Sequence, residues 1–251
     1  MDVTTDVKVA SLAERPEMVE RVLQMPDSWP EFITQDPVGN AHYPRIAREL
    51  PHYVQFAEDA HGEIVAHAHS VPFALHAEGR GALPARGWDE VLVWAFADLR
   101  RGAVPDTVSA ISVVVAPHAQ GRGLSALMLS AMRDNARALG FREVVAPVRP
   151  SAKHLEPRTP MAAYARRLRP DGLPHDPWLR VHARAGAVVD SVAPASMTVA
   201  GSLDQWRAWT GLPFDTAGDV EVPGALVPVR CEPDHDRAVY VEPNVWMRHA
   251  L

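Results

Sequence analysis

Two spacings of hydrophobic residues alternate along the first part of the chain, one typical of strands and the other of helices. Segments 52–58 and 63–73 flank the glycine-containing stretch Asp59-Ala60-His61-Gly62 and predict an antiparallel hairpin. Between residues 26 and 51, five prolines interrupt the pattern and favour short helical turns over long helices. The other elements predicted here are a strand at 7–12, a helix at 14–25 and a helix at 87–101.

A strand, a glycine-containing loop, a helix and a second strand are predicted in the middle of the chain. The β-branched run 109–115 is typical of a buried central strand. Apolar positions from Leu124 to Leu139 recur at helical spacing, and Gly140 is placed to end that helix. Residues 141–148 return to a strand pattern. This order predicts a βαβ unit.

The last hundred residues predict an insertion, a helix, a strand and a terminal extension. The insertion, about 149–175, contains five prolines and one predicted helix. We expect one domain over 1–201 and an extension at 202–251 that packs on it, because about 50 residues rarely sustain a core of their own. A role in a homodimer is the alternative for the extension. The predicted elements are helices at 161–168, 176–185 and 202–209 and strands at 187–199, 225–231 and 238–242.

Composition and charge exclude several classes of function. The chain has 251 residues, of which 47% are hydrophobic, and a formal charge of −6, which provides no general attraction to nucleic acid or an anionic membrane. Its apolar runs are far shorter than the roughly 20 residues that span a bilayer. Residues 1–6 lack the basic and apolar regions of a signal peptide, so we expect a cytoplasmic protein. The single cysteine, Cys231, allows no intramolecular disulfide.

The loop between the central strand and the following helix has the features of a diphosphate receptor. Free backbone N–H groups at a helix N-terminus attract phosphate, and the helix dipole strengthens the attraction. Gly121 and Gly123 allow close approach of the backbone, Arg122 adds a positive charge, and Ser125 adds a hydroxyl group. The loop therefore predicts a site for a phosphorylated cofactor.

The stretch Val113-Val114-Val115-Ala116-Pro117-His118-Ala119-Gln120-Gly121-Arg122-Gly123-Leu124-Ser125 resembles the signature of the GNAT acyltransferase superfamily, Gln/Arg-x-x-Gly-x-Gly/Ala after a strand. His118 departs from the first signature position. The resemblance covers 109–148 and extends over 7–199. It implies an α/β (α+β) fold with a mixed, mostly antiparallel sheet flanked by helices. It also implies that acetyl-CoA or another acyl-CoA binds at Val113, Val115, His118, Ala119, Gln120, Gly121, Arg122, Gly123, Leu124 and Ser125.

Three other interpretations of the loop stay open. Gly121 and Gly123 could form only a tight turn. Dinucleotide binding is a second interpretation, but its fingerprint expects an acidic residue near the end of the next strand, and Glu143 lies at the beginning. A module that binds or senses acyl-CoA without catalysis would need the loop and no acid or base.

The resemblance also implies roles for residues outside the loop. In this superfamily an amine attacks the thioester directly, and backbone N–H groups of the central strand, here around Val114, polarise the carbonyl. Many relatives have a tyrosine acid four residues before a glycine, at the position of His182, and Tyr164 is a second candidate for this role. The strand 110–115 has no glutamate or histidine to serve as the base.

The acceptor pocket of the superfamily lies between the first strand and the hairpin. Trp29 and Tyr43 are candidates for its apolar walls, and Glu31 for a partner of an ammonium group. His67 and His69 point to the same face of their strand, since strand side chains alternate. Two histidines without a third ligand do not predict a metal site. The resemblance therefore implies an acyl-CoA-dependent N-acyltransferase, most simply an acetyltransferase, that acts on a small-molecule amine. We expect no metal, nucleic acid or membrane partner.

Overall fold

A computed structural model describes residues 7–251, and the first six residues, on which the signal-peptide prediction rests, lie outside this part. No helix in the described part is long and apolar enough to cross a membrane. The strands are β1 (Lys8–Ser11), β2 (Val54–Glu58), β3 (Ile64–Phe73), β4 (Thr107–Val115), β5 (Glu143–Val148), β6 (Val188–Gly201), β7 (Gly218–Val220), β8 (Val229–Glu232) and β9 (Arg237–Ala250). The α-helices are α1 (Val19–Leu23), α2 (Pro37–Glu49), α3 (Gly87–Arg101), α4 (Leu124–Ala138), α5 (Met161–Ala165), α6 (Pro177–Arg184) and α7 (Leu203–Thr210).

Residues 7–251 contain one mixed sheet of nine strands. The strands β1 to β4 are antiparallel neighbours in chain order, and β4 runs parallel to β5. The long strand β9 pairs with β5 and β8 along one edge and with β6 along the other. The predicted mixed, mostly antiparallel sheet is therefore confirmed, and so is the βαβ unit formed by β4, α4 and β5.

The last strand differs most from its sequence pattern. The pattern predicted a strand at 238–242, but β9 runs from Arg237 to Ala250 and is a central strand of the sheet. Its second half is buried almost throughout, and Trp246 donates a hydrogen bond from Nε1 to the carbonyl of Pro84 at 2.9 Å. A strand covered on both faces lacks the alternation that marks a half-exposed strand, so its length was underestimated.

The proline-rich segment 26–51 contains a long helix, where the pattern predicted short turns. The helix α2 starts at Pro37, and Asp36 caps it by accepting a hydrogen bond from the N–H of Gly39 at 2.5 Å. Proline is favoured in the first turn, where its missing N–H has no partner to lose. Pro44 lies inside the helix, which continues to Glu49. The Asp36-Pro37 pair was an N-terminal signal that the count of prolines obscured.

Two clusters of buried hydrophobic residues fill the space between helices and sheet. The larger cluster joins β2 to β5 with α3 and α4. The smaller cluster lies under α7 and β8 and includes Trp206, whose Nε1 donates to the carbonyl of Ala238 at 2.8 Å. Phe32 belongs to this smaller cluster, so the segment before α2 is held against the second half of the sheet.

Asp176 ties the insertion to α6. Its carboxylate accepts hydrogen bonds from the N–H groups of Trp178 and Ala152, both at 2.9 Å, and from the hydroxyl of Tyr164, also at 2.9 Å. The N–H groups of Ser151 and Leu179 donate to the same carboxylate. One buried side chain therefore fixes the start of the helix and the conformation of the loop before it.

We expect Asp176→Ala to lower the free energy of unfolding by about 3 kcal/mol, because it leaves buried donors without an acceptor. Urea denaturation measures this loss. The matched control is Asp204→Ala, in the first turn of α7, where the side chain is exposed and pairs only with Arg207. The control should lose no more than about 0.5 kcal/mol. Equal losses in the two variants would contradict the role of Asp176.

Candidate active site

The glycine loop begins α4 with a row of free donors. Gly121 and Gly123 adopt φ angles of 75° and 77°, which are left-handed conformations that favour glycine. Gly123 is the N-cap of α4, and no side chain caps the helix. The backbone N–H groups of Gly121 through Ser125 find no acceptor within residues 7–251. This arrangement fits a diphosphate, since several donors and the positive end of the helix dipole face one point.

The strands β4 and β5 part immediately beside this loop. They pair only at Val108 with Val144 and at Ser109 with Val145, after which β5 continues to pair with β9. One edge of β4 beyond Ser109 therefore has no strand beside it. Free backbone N–H and C=O groups along this edge suit an extended ligand that carries amide groups.

A β-bulge lies in β4 at the point where the strands part. His69 pairs with Ser112 and Ser70 with Ala110, so Ile111 is an extra residue in β4. The indole Nε1 of Trp88 donates to the carbonyl of Ile111 at 2.9 Å. Bulges redirect backbone groups near active sites. This bulge turns the backbone of β4 between the glycine loop and the predicted acceptor pocket around Trp29 and Tyr43.

A single cavity of about 1190 Å³ connects the loop, the parted strands and the acceptor side. His118, Ala119, Arg122, Glu31 and Tyr164 do not line it. The predicted site residues that do line it are Trp29, Tyr43, His67, His69, Val113, Val114, Val115, Gln120, Gly121, Gly123, Leu124, Ser125 and His182.

Two of the predicted site residues lie elsewhere for clear reasons. Glu31 starts a 3-10 helix and faces solvent, since Phe32 and Ile33 take the inward positions. Tyr164 is buried in the insertion, where its hydroxyl donates to Asp176 and its pKa is raised by burial and by that carboxylate. Tyr164 is therefore not placed to serve as the acid, contrary to expectation.

Tyr43 connects the bulge to the histidines of β3. Its hydroxyl lies 2.5 Å from Ser112 Oγ and 3.0 Å from His69 Nδ1. The rings of His67 and His69 are 4.9 Å apart and nearly perpendicular. His67 Nδ1 and His69 Nε2 are buried with no partner among the described residues. Ser112 had no signal in the sequence, because its contact with Tyr43 joins positions 69 residues apart.

Burial keeps these groups uncharged. Desolvation lowers the pKa of His67 to about 4, and it lowers the pKa of His69 further with the help of the neighbouring His67. Burial also raises the pKa of Tyr43. At neutral pH each imidazole therefore has one unprotonated nitrogen, and Tyr43 keeps its proton.

His182 is held at the other side of the cavity by a second histidine. Its Nδ1 lies 2.9 Å from Nε2 of His249 on β9, and the ring of Trp178 packs edge-on against it with centroids 4.6 Å apart. Burial, with smaller contributions from His249 and Arg133, lowers the pKa of His182 to about 3. Burial lowers the pKa of His249 to about 4. A neutral imidazole donates a hydrogen bond readily but gives up a proton poorly. His182 is therefore better suited to donate a hydrogen bond than to serve as the acid.

Several lining residues come from elements that the sequence did not place near the site. Asp36 reaches the cavity from the start of α2, and Arg149 from the insertion. Glu242 and Asn244 reach it from β9. Glu242 accepts hydrogen bonds from Arg149 Nε at 2.9 Å and from the hydroxyl of Tyr240 at 2.8 Å. Within residues 7–251, no three histidine, cysteine or acidic side chains form a group that could hold a metal ion.

A parted sheet with an N–H-rich loop at one end and buried acid-base groups at the other defines a class of protein, the acyltransferases that use acyl-CoA. The chain is 32% identical to arginine N-acetyltransferase avaD of Aspergillus versicolor over 95% of this chain and 92% of the relative. The chain therefore belongs to the GNAT superfamily and is an acyl-CoA-dependent acyltransferase. A comparison with models of protein families finds no match.

Solved structures share the fold at low sequence identity. The loading GNATL domain of CurA from Lyngbya majuscula has a TM-score of 0.60 and 17% identity, covering 98% of this chain and 96% of that chain. A second structure, the GphF GNAT-like decarboxylase in complex with isobutyryl-CoA, has a TM-score of 0.57 and 17% identity, covering 97% and 98%. At this identity the likeness shows the fold and not the reaction.

Gly123→Trp should weaken coenzyme A binding by about tenfold or more, because its side chain would occupy the space where the free N–H groups converge. Isothermal titration with coenzyme A measures the loss. Gly140→Trp is the matched control, since Gly140 follows the other end of α4, has a φ of 89° and also has no heavy atom within 4 Å of an added Cβ. Equal weakening in both variants would mean that backbone strain, and not the loop, affects binding.

The low pKa values of His182 and His249 predict how the free energy of unfolding depends on pH. The folded-state pKa values of His182 and His249 lie below the unfolded value of about 6.5, so the unfolded chain binds more protons between these values. Their contribution is complete above about pH 6.5 and is lost as the pH falls toward 4.

The double variant His182→Leu His249→Leu should reduce the slope of unfolding free energy against pH by up to about two protons between pH 6.5 and 4.5. Urea denaturation at several pH values in this window measures the slope. An unchanged slope would show that these two histidines do not resist protonation in the folded protein.

Proposed function

We propose that the protein transfers an acyl group, most simply acetyl, from acyl-CoA to an amine of arginine or a closely similar basic compound. The observation that carries this proposal is the continuous cavity between the glycine loop and the Tyr43 network, which passes the free edge of β4. The acceptor is suggested by the 32% identical relative, whose name specifies arginine.

In this proposal the cavity divides into three functional parts. The N–H groups of Gly121 through Ser125 bind the diphosphate, and the free edge of β4 binds the extended arm. Acyl-CoA supplies the activated acyl group as a thioester. The backbone N–H near Val114 stabilises the negative charge that develops on the carbonyl oxygen, because a fixed donor in a dry site needs no reorganisation.

The buried imidazoles handle protons on the acceptor side. An amine attacks only after it has lost the proton of its ammonium form. A neutral imidazole such as His67 does not repel the ammonium group and can accept a hydrogen bond from it. Because its pKa is low, His67 is a weak base, and the proton must pass on to solvent. Tyr43 and Ser112 hold His69 in one orientation. On the far side, the neutral His182 donates a hydrogen bond to the departing sulfur, and His249 fixes the ring.

We also propose that the extension at 202–251 belongs functionally to the domain at 1–201. Its last strand, β9, pairs with β5 and β6 and brings Glu242 and Asn244 to the cavity. The insertion, about 149–175, contributes Arg149, Ser151 and His154 to the same lining. Removal of either segment would therefore open the cavity.

The proposed activity is tested with acetyl-CoA and L-arginine, measuring free thiol and the mass of the acetylated product. We expect thiol release that depends on arginine and a product heavier than arginine by one acetyl group. Tyr43→Phe should reduce kcat by about a hundredfold, because it breaks the link between Ser112 and His69.

Tyr53→Phe is the matched control for this variant. Tyr53 packs on Phe141 and has no hydrogen bond through its hydroxyl among the described residues, so its loss should leave kcat within about twofold. If wild-type protein releases no thiol with arginine, agmatine or other small amines, the proposed function is wrong.

A further inference from the structure

An unpaired carboxylate lies at the end of the cavity formed by the start of α2. Asp36 is only 2% exposed and lines the cavity. Its Oδ2 accepts the capping hydrogen bond from Gly39, whereas Oδ1 is buried without a partner in the described part of the chain. A buried carboxylate oxygen without a donor is costly, and burial accordingly raises the pKa of Asp36. A cation placed beside Oδ1 would stabilise the charged form.

Two further buried carboxyl groups lie near Asp36, and of these only Glu242 lines the cavity within residues 7–251. Asp89, in the first turn of α3, is 1% exposed and also has an unpartnered Oδ1. Burial, with a smaller contribution from the charge of Asp36, raises the pKa of Asp89 to about 8. Glu242, also 1% exposed, completes the group.

Among the described residues, cations pair with Glu242 but not with Asp36 or Asp89. Arg149 pairs with Glu242, and its Nη2 donates to the carbonyl of Gly224 at 2.6 Å. Arg86 affects Asp89 only through its electric field, and His42, which lies near Asp36, uses Nδ1 in a hydrogen bond to the carbonyl of Val38. Asp36 therefore has no ion pair with any residue between 7 and 251.

The indole of Trp88 lies between Asp36 and the β4 bulge. Its indole Nε1 donates to the carbonyl of Ile111, while the far edge of the ring lies beside Gly39. A Cβ at Gly39 would be 3.0 Å from Trp88 Cη2 and 2.9 Å from Asp36 Oδ2. The absence of a side chain at Gly39 leaves room for both groups, so the indole of Trp88 reaches from the bulge toward Asp36.

We propose that Asp36 binds the cationic end of the acceptor, a guanidinium or ammonium group, while the amine at the other end reacts at the bulge. This inference rests on the proposed function and adds the residue that selects the substrate. A guanidinium presents several N–H donors in one plane and matches a carboxylate with a free oxygen. Arginine and short diamines have this form, with a reactive amine at one end and a second cation at the other.

The test compares L-arginine with L-citrulline, which has nearly the same shape but a neutral terminal group. In wild-type protein we expect kcat/KM to be higher for arginine by about 10-fold to 100-fold. Asp36→Asn should remove most of this preference by lowering kcat/KM for arginine, while KM for acetyl-CoA stays within about twofold. Asparagine caps helices as well as aspartate does, so α2 should remain intact.

Asp27→Asn is the control, because Asp27 also lines the cavity but is exposed. Retention of the preference in Asp27→Asn together with its loss in Asp36→Asn would support the proposal. The opposite pattern, or equal use of arginine and citrulline by wild-type protein, would overturn it even if Asp36→Asn did not fold.

A binding measurement separates this inference from the proposed function. Arginine and citrulline are titrated into wild-type protein and Asp36→Asn, each saturated with coenzyme A. Tighter binding of arginine that depends on Asp36 would support the cation site even if no thiol is released in the assay. Equal binding of the two compounds to wild-type protein would overturn the cation site, whatever the assay shows.

Discussion

Two parallel strands that pair for only two residues and then separate leave facing N–H and C=O groups without sheet partners. Such groups are costly unless they face water or a ligand, so the parting of β4 and β5 requires a cavity beside it. The position of β9 maintains this parting, because its pairing holds β5 within the second half of the sheet up to Val148. The start of α4 lies at the wide end of the gap, so the free N–H groups of the glycine loop open into the same cavity.

Burial and neighbouring charges determine the protonation states of the ionisable groups in and around the cavity. His67 and His69 have no nearby carboxylate strong enough to offset burial, and they are therefore neutral. Near the start of α2, burial and the charge of Asp36 raise the pKa of Asp89 and oppose its ionisation. Neutral imidazoles therefore lie near the bulge and buried carboxyl groups lie toward the start of α2. The proposed acceptor, with a cation far from its reacting amine, would fit this arrangement.

The two kinds of similarity carry different information. The GNAT-like structures share the architecture at 17% identity, and one of them is named as a decarboxylase, so the fold does not determine the reaction. The 32% identity to the arginine N-acetyltransferase extends over 95% of this chain and 92% of the relative. The side chains around the cavity, rather than the sheet, are therefore where the choice of acceptor is made.

The sequence by itself determined the local features of this protein. The glycine loop, the helix α4 and the flanking strands were predictable because spacing, glycine and helix-cap signals act over a few residues. Tertiary structure alone decided which distant residues meet. Ser112 contacts Tyr43, His182 contacts His249, and Asp36 faces a cavity partly lined by β9. No local pattern records these contacts, because they depend on the order of strands in the sheet and on the pairing of β9, and both follow from burial of the whole chain rather than from any one segment.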